Sequence, residues 1–374
     1  MSTSRRRSAF AIAAGATLVY FIVGLSVAAS SGGPVWFVQF GMEDHRVNQW
    51  AQGVLAPDKV VTPMLQPHDG VRFWILARDP LLLQADTETY LDHPIYRARR
   101  IAYPLAASPF RLFGEHALLW GLFTVNLGTV FVGTYLTAQL ADVVGGRPGG
   151  GLAFACNPCV LVGVLLDLSD PLMIAALVGV LLALRRGRFA LATLAAVVAV
   201  MTREVAFLGI LGMAVGMVGQ PIRRRLALVA VPTTAMAAWS VYLALRLDRA
   251  SAPENFTLVP FGGWIEAYRT GWAPLGKWDE FLAALLIAAA GVAVLLRWAK
   301  TRSLEMWCSV GFCLLLPFVT TVVMLNPTNS SRILGPAVTL LAIDLMSNRK
   351  PRPWPRLGGL RLIRRGNAPE PAAT

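Results

Sequence analysis

The sequence predicts an all-α, polytopic bundle of about ten transmembrane helices. Of its 374 residues, 55% are hydrophobic and 15% are charged, whereas soluble domains carry roughly 25% charged residues. The mean hydropathy is +0.56. The net charge of +13 comes from short arginine clusters between apolar runs, which is typical of topology signals rather than of a nucleic-acid surface. We therefore expect a membrane protein that has lipids, and no nucleic acid, as partners.

Ten apolar runs, separated by Pro, Gly or charged residues, are the predicted spans. They cover residues 9–30, 117–140, 151–166, 170–184, 189–201, 204–219, 226–245, 280–297, 305–325 and 333–347. The first run follows three arginines, as a signal peptide would, but its length exceeds the roughly 7–15 apolar residues of a signal peptide. We expect it to be a retained anchor.

Two of the predicted spans are short for a membrane. Runs 189–201 and 204–219 would extend about 20 and 24 Å, against a hydrocarbon core of roughly 30 Å. Their junction, Thr202-Arg203-Glu204, is therefore predicted to lie below the outer surface. The alternative is one tilted helix over 189–219, which would place Arg223 to Arg225 outside.

The arginine clusters predict the orientation. With both termini in the cytoplasm, the inner segments hold 20 basic and 4 acidic residues, and the outer segments hold the remaining 14 and 17. This bias follows the positive-inside rule. We expect one transmembrane domain, residues 1–348, in a bacterial plasma membrane, with large external loops at 31–116 and 247–279. The basic, proline-rich tail 349–374 is predicted to be cytoplasmic and disordered.

Charged residues at the membrane boundary are expensive and therefore indicate a functional site. Four such clusters fall on the predicted outer side: Asp69, Arg72, Arg78 and Asp79; Asp167 and Asp170; Arg203 and Glu204; and Arg332. Arginine suits phosphate because its guanidinium presents a fixed fork of donors. Purely structural alternatives remain open, since Arg203 and Glu204 could pair to join two helices, and Asp170 before Pro171 could cap a helix.

The order of these motifs resembles a known family. The stretch His68 to Pro80 carries Asp-Gly-x-x-Phe and Ala-x-Asp-Pro, and Tyr96 to Ala106 carries Tyr-Arg-x-x-Arg-x-x-Tyr-Pro. Ser169-Asp170-Pro171-Leu172, Thr202-Arg203-Glu204 and Ser331-Arg332 to Pro336 follow in order. Over residues 8–347 this set resembles the GT-C fold glycosyltransferases of bacterial membranes, including mannosyltransferases related to the GPI pathway.

The resemblance implies an enzyme that transfers a sugar, with mannose as one candidate, from a polyprenyl-phosphate donor to an envelope glycan, lipid or protein, with inversion. It also implies roles for individual residues: Asp69 is the catalytic base, Arg203 and Arg332 bind the donor phosphate, and Glu204 orients Arg203. Supporting roles fall to Asp167, Asp170, Arg78, Asp79, Arg99, Arg100 and Tyr103. Glu43-Asp44 competes with Asp69 for the role of base.

Arg99 and Tyr103 are four residues apart, so on one helix they would share a face that reads the sugar or the phosphate. The alternative is a patch of arginines that reach the membrane interface without contacting a ligand. We expect no cofactor and no His/Cys metal site. An oxygen-ligand divalent site built from Asp69, Asp79, Asp167 and Asp170 stays open as an alternative.

Two other classes of protein compete with the transferase. A transporter or lipid flippase also uses intramembrane charges and broken helices, but here the charges gather on one predicted side and no internal repeat is apparent. A non-catalytic partner in envelope assembly would keep the fold and lose the base. The sugar, the acceptor, the linkage and the oligomeric state are left open by the sequence.

Overall fold

The protein is described by a computed structural model that covers residues 2–55, 68–84, 86–247 and 256–347. It is all-α, with 79% helix, and these residues form no strand beyond one isolated bridge between Phe256 and Val319. The predicted tail 349–374 and part of the predicted loop 247–279 lie outside the described residues.

The helices follow one another in three groups. The first group is the N-terminal helix α1 (Thr3–Ser30). The second group is made of short helices: α2 (Val35–Val38), α3 (His45–Leu55), α4 (Asp69–Arg78), α5 (Pro94–Ala98) and α6 (Ala102–Ala107). The third group is α7 (Glu115–Val143), α8 (Leu152–Ala155), α9 (Pro158–Leu165), α10 (Asp170–Arg185), α11 (Phe189–Thr202), α12 (Ala206–Gly216), α13 (Ile222–Arg246), α14 (Gly262–Ala267), α15 (Trp278–Thr301), α16 (Leu304–Cys313), α17 (Thr321–Met324) and α18 (Pro327–Met346).

Several helices are suited to a lipid environment. Helices α1, α7, α13 and α15 are long and apolar enough to cross a membrane, and a fifth span results if the segments Pro148–Ala155 and Pro158–Leu165, bent by 54°, are counted together. These helices indicate a membrane protein. Helix length alone does not establish all ten predicted spans, because the remaining apolar helices are shorter or interrupted.

The bend before α9 has a local cause. Proline disfavours helical geometry in the residue before it, and Asn157 is accordingly extended ahead of Pro158. The Asn157 side chain accepts a hydrogen bond from the Cys159 backbone N–H at 2.8 Å and donates to the Gly335 carbonyl at 2.7 Å. The broken segment is thus fastened to α18.

Helices α11 and α12 are separate, so the alternative of one tilted helix over 189–219 is wrong. Helix α11 ends at Thr202, Arg203 is extended, and α12 begins at Ala206. Helix α12 packs closely on α16, because a Cβ at Gly212 would lie 2.1 Å from the Trp307 carbonyl oxygen. The α12 side of the junction is therefore held by packing on α16.

The predicted loop 31–116 is a helical subdomain with a core of its own. Trp74, Phe73 and Phe40 are buried there and pack with residues of α7 and α13. Gly70 permits the close approach of α4 to the bundle, since a Cβ at this position would lie 2.6 Å from the Leu166 carbonyl oxygen. The N-terminus of α4, which carries Asp69, is fixed by this contact.

Candidate functional site

A cavity of about 840 Å³ lies between the helical subdomain and the bundle. The subdomain and the α11–α12 junction contribute mostly polar lining: His68, Asp69, Asp92, His93, Tyr96, Arg97, Arg100, Arg203 and Glu204. The segment from 315 to 333 contributes mostly apolar lining: Leu315, Val319, Val322, Val323, Leu325 and Ile333. The cavity therefore joins a charged wall to an apolar one.

Asp69 is the first residue of α4 and holds three arginines. Its Oδ1 accepts from Arg97 at 2.5 Å, and its Oδ2 accepts from Arg332 at 2.8 Å. Arg100 lies 3.6 Å from the same Oδ2. A helix N-terminus also favours a carboxylate. Both oxygens of Asp69 are thus engaged by guanidinium groups.

Arg332 links Asp69 to the other predicted site residues. Its Nε donates to Oδ2 of Asp170 at 2.8 Å, and Asp170 also pairs with Arg203. Asp170 is completely buried at the start of α10. The structure therefore brings together Asp69, Arg332, Asp170 and Arg203, as the sequence predicted.

Glu204 pairs with Arg100 rather than with Arg203, so the sequence-based partner was wrong. The distances from Arg100 to the two Glu204 oxygens are 2.8 and 3.1 Å, and Arg100 also contacts the Tyr96 hydroxyl. Because the backbone of Arg203 is extended, the side chains of Arg203 and Glu204 reach different partners. Asp170 orients Arg203, and Glu204 orients Arg100.

Arg97 and Asp92 line the cavity, and the sequence analysis assigned a role to neither. Arg97 binds Asp69 and also Asp92, with a distance of 2.7 Å between Arg97 Nη2 and Asp92 Oδ2. Arg97 is a fixed position of the Tyr-Arg-x-x-Arg motif, which was the signal for it. Its contact with Asp69 depends on how α4 and α5 pack, which the motif does not show.

Arg99 and Tyr103 do not share a helix, and neither lines the cavity. The chain breaks between α5 and α6, so the four-residue spacing does not place them on one face. Tyr103 is fully buried, accepts a hydrogen bond from Asn126 at 2.8 Å and donates to the Leu122 carbonyl. Its predicted role in reading the sugar or phosphate is wrong.

Asp167 is also outside the cavity. It is completely buried, and one of its oxygens lies 3.4 Å from the Tyr103 hydroxyl. Burial raises the pKa of this carboxyl well above its usual value, and hydrogen bonds from Tyr103 and Asn126 only partly oppose that effect. Asp167 is therefore a buried core residue, not a ligand for a phosphate or metal in the cavity.

Arg78 and Asp79 stabilise the subdomain and do not line the cavity. Arg78 donates to Glu115 at 2.9 Å and stacks over Trp50. Asp79 caps the following turn by accepting from the backbone of Leu83 and Gln84 at 2.8 Å. Their predicted supporting roles at the site are wrong.

The competing acidic pair also lies outside the cavity lining. Glu43 is exposed, and Asp44 pairs with Arg72 at 2.5 Å. Neither residue lines the cavity. Asp69 is therefore better placed than Glu43-Asp44 for chemistry there.

Several cavity groups have shifted pKa values. Burial acts to raise the pKa of Asp69, but Arg97, Arg332 and Arg100 overcome it and hold the value well below the usual range. For Glu204, burial is likewise outweighed by the charge and hydrogen bond of Arg100, which lower the pKa to about 2. Burial lowers the pKa of His68, with Asp69 opposing the shift. At pH 7 the carboxylates are ionised and His68 is neutral.

The described residues contain no group of three or more His, Cys, Asp or Glu side chains arranged to hold a metal ion. The four carboxylates of the alternative divalent site are dispersed. Arg332 lies between Asp69 and Asp170, while Asp79 and Asp167 lie outside the cavity.

Comparison with family models, curated proteins and solved structures found no match to this chain. The resemblance drawn from its motifs therefore stays a prediction.

Proposed function

We propose that the chain is a polytopic membrane glycosyltransferase that moves a sugar from a polyprenyl-phosphate donor to an envelope acceptor outside the cytoplasm. One observation carries the proposal: a carboxylate and a cluster of arginines line a cavity whose other wall is apolar. A phosphate linked to a long hydrocarbon chain has the same combination of charge and apolar surface. The motif resemblance points in the same direction.

The ten-span topology forms part of this proposal. Each ion pair that we describe joins two residues assigned to the same side of the membrane. On the predicted inner side, Arg5 pairs with Asp142, Arg185 with Glu305, and Arg297 with Asp344. On the predicted outer side, the cavity network joins residues from 69 to 332. This agreement supports the proposed topology.

The arginines are the proposed donor-phosphate site. Four arginines (Arg97, Arg100, Arg203 and Arg332) face four carboxylates (Asp69, Asp92, Asp170 and Glu204) in the resting cavity. The charges therefore balance, and an arriving phosphate must replace some of the carboxylate contacts. Each guanidinium has five N–H donors, so it can bind phosphate while keeping part of its protein contacts.

Asp69 is the proposed general base. When phosphate draws Arg97 and Arg332 away, one Asp69 oxygen becomes free and its pKa rises towards the ordinary carboxyl value. The acceptor hydroxyl oxygen then attacks the anomeric carbon, the bond from that carbon to the phosphate oxygen breaks, and the phosphate leaves with the electron pair. The hydroxyl proton passes to Asp69. Direct displacement of this kind inverts the anomeric configuration.

The test is a transfer assay in membranes with a radiolabelled polyprenyl-phosphate sugar. We expect Asp69→Asn to lower turnover by roughly 10²-fold or more, the scale of a lost general base, while donor binding persists. Arg203→Lys keeps the charge but loses the fork, so it should chiefly weaken donor binding. Glu43→Gln, at an exposed carboxylate outside the cavity, is the matched control and should be fully active.

Two results would contradict the proposal. Full transfer activity in Asp69→Asn would remove the base assignment. Uptake or flipping of the labelled lipid without any covalent product would replace the transferase with a transporter.

A further inference from the structure

A second cavity opens on the side of the bundle. It has a volume of about 360 Å³ and lies between α7, α10 and α11. Its floor is made of small side chains of α10, including Ala176 and Gly179, and its rims carry the exposed side chains of Val132, Leu191 and Leu194. We call this cavity the lateral groove.

One face of α10 runs the length of the lateral groove and ends in a cation. Its members Leu172, Ala176, Gly179 and Ala183 follow one another at three- and four-residue spacing, and the next position of that series is Arg186. Residues at this spacing lie on one side of a helix. The apolar face thus leads directly to a guanidinium.

The two rims of the lateral groove, on α7 and α11, both end in polar residues at the end of the groove that carries Arg186. On α11 the series Leu194, Leu191 leads back to Arg188 just before the helix, and Arg188 lines the groove. On α7 the series Val132, Leu136 leads to Gln139, whose side-chain oxygen accepts a hydrogen bond from Arg186. Three apolar faces therefore converge on one polar end.

The polar end has an excess of positive charge. Arg186 and Arg188 are exposed, and neither forms an ion pair within the described parts of the chain. Burial lowers the pKa of Arg186, and repulsion from the cations Arg188 and Arg6 lowers it further. Asp142, the acidic residue that opposes this shift, is already bound by Arg5 at 2.5 Å. An anion at this end would relieve the repulsion.

The groove is longer than one leaflet is thick, so it can hold an acyl chain that crosses that leaflet. From Leu172 to Arg186 the helix rises about 21 Å, whereas half of a hydrocarbon core is roughly 15 Å. In the proposed topology Arg186 and Arg188 lie at the cytoplasmic surface, at the level of the lipid headgroups. A phosphate between them would leave its hydrocarbon chain along the faces of α10 and α11.

We propose that the lateral groove binds an acidic phospholipid of the cytoplasmic leaflet, with its phosphate at Arg186 and Arg188 and one acyl chain along the groove. This site is separate from the cavity around Asp69. It requires the proposed membrane orientation but not transferase activity, so the two proposals can fail independently.

The first experiment measures lipid binding to the full-length protein in detergent. Phosphatidylglycerol should raise the melting temperature more than phosphatidylcholine does. Arg186→Gln/Arg188→Gln should weaken phosphatidylglycerol binding by about 10-fold or more, the scale expected for two cations at a membrane surface. Arg223→Gln/Arg224→Gln removes two basic residues that do not line the groove and serves as the matched control, which should bind as the wild type does.

A second variant separates lipid binding from folding. Gly179→Leu fills the groove floor, where the nearest atoms to an added Cβ are 3.7 Å away, and it leaves both arginines in place. It should abolish the phosphatidylglycerol response while the lipid-free melting temperature stays near that of the wild type.

Labelling of the wild-type protein provides a readout that needs no variant. Phosphatidylglycerol with a photoreactive acyl chain should label peptides of α10 and α11. The proposal is overturned if phosphatidylcholine binds equally well, if either groove variant keeps the phosphatidylglycerol response, if labelling falls elsewhere, or if the groove retains a polyprenyl phosphate instead of a phospholipid.

Discussion

Asp69 contacts three of the four cavity arginines, and its chemistry depends on how many of them it keeps. In the resting protein these contacts make it a weak base. Glu204 pairs with Arg100 and Asp170 pairs with Arg203, so a phosphate that takes Arg97 and Arg332 would leave these two pairs in place. At the residue scale, binding of the donor phosphate therefore controls the basicity of the Asp69 carboxylate.

The first residue-scale prediction concerns the pH dependence of transfer. With donor saturating, the acid limb of the turnover rate reports the base in the donor-bound state. Loss of cation contacts raises the pKa of Asp69. The apparent pKa of the acid limb should therefore be higher than the pKa of Asp69 in the free protein. The measurement is the pH profile of turnover set beside an infrared or NMR titration of free Asp69. If the acid limb disappears in the His68→Gln variant, the base is instead the imidazole of His68.

The second residue-scale prediction concerns stability in acid. The pKa of Glu204 falls from 4.5 to about 2 in the folded protein. Between these values the unfolded state binds more protons than the folded state, so the contribution of Glu204 is complete above about pH 4.5 and is lost as the pH falls towards 2. Glu204→Gln should therefore flatten the decline of the melting temperature in this window. Glu43→Gln should decline as the wild type does, and a Glu204→Gln curve parallel to the wild type would contradict the assignment.

At the scale of single elements, the position of α4 depends on its second residue. Gly70→Ala would place a Cβ 2.6 Å from the Leu166 carbonyl oxygen, and forced overpacking of this kind costs about 1–3 kcal/mol. We expect a lower melting temperature and reduced transfer, because α4 and Asp69 must shift together. Gly53→Ala in α3 is the control, since nothing lies within 4 Å of its added Cβ. Equal stability of the two variants would show that the contact does not fix α4.

Single elements also show what the sequence could and could not predict. Apolar runs predicted helix positions well, as in 170–184 for Asp170–Arg185 and 189–201 for Phe189–Thr202, because hydrophobicity and breaker residues are local signals. The break between α5 and α6 has no comparable signal, so the four-residue spacing of Arg99 and Tyr103 was wrongly taken to place them on one helix face. Partners such as Arg100 and Glu204, which are 104 positions apart, depend on how distant elements pack.

At the scale of the whole molecule, charge separates into two ends. The cavity network lies at one end, and three ion pairs with residues from Arg5 to Asp344 lie at the other. The positive-inside pattern groups the same residues, because it is a property of the sequence summed over many loops, and the orientation that it implies stays a prediction. Which carboxylate would be buried outside the cavity could not be predicted in the same way, since the packing of Asp167 against Tyr103 is set only by the folded bundle.

The last prediction tests this division directly. In a variant whose four native cysteines are replaced, Phe113→Cys should react with a membrane-impermeant maleimide added to intact cells, because Phe113 is 81% exposed and belongs to the predicted outer side. Arg224→Cys should react only after the membrane is opened, since in the proposed topology α11 and α12 are two spans and the chain is back in the cytoplasm before α13. Reaction of Arg224→Cys in intact cells would reverse every segment after Gly216 and would move the ion pair between Arg297 and Asp344 to the outer side. The cavity arginines from α11 and α18 would then lie on opposite sides of the bilayer, which their shared contact with Asp170 forbids.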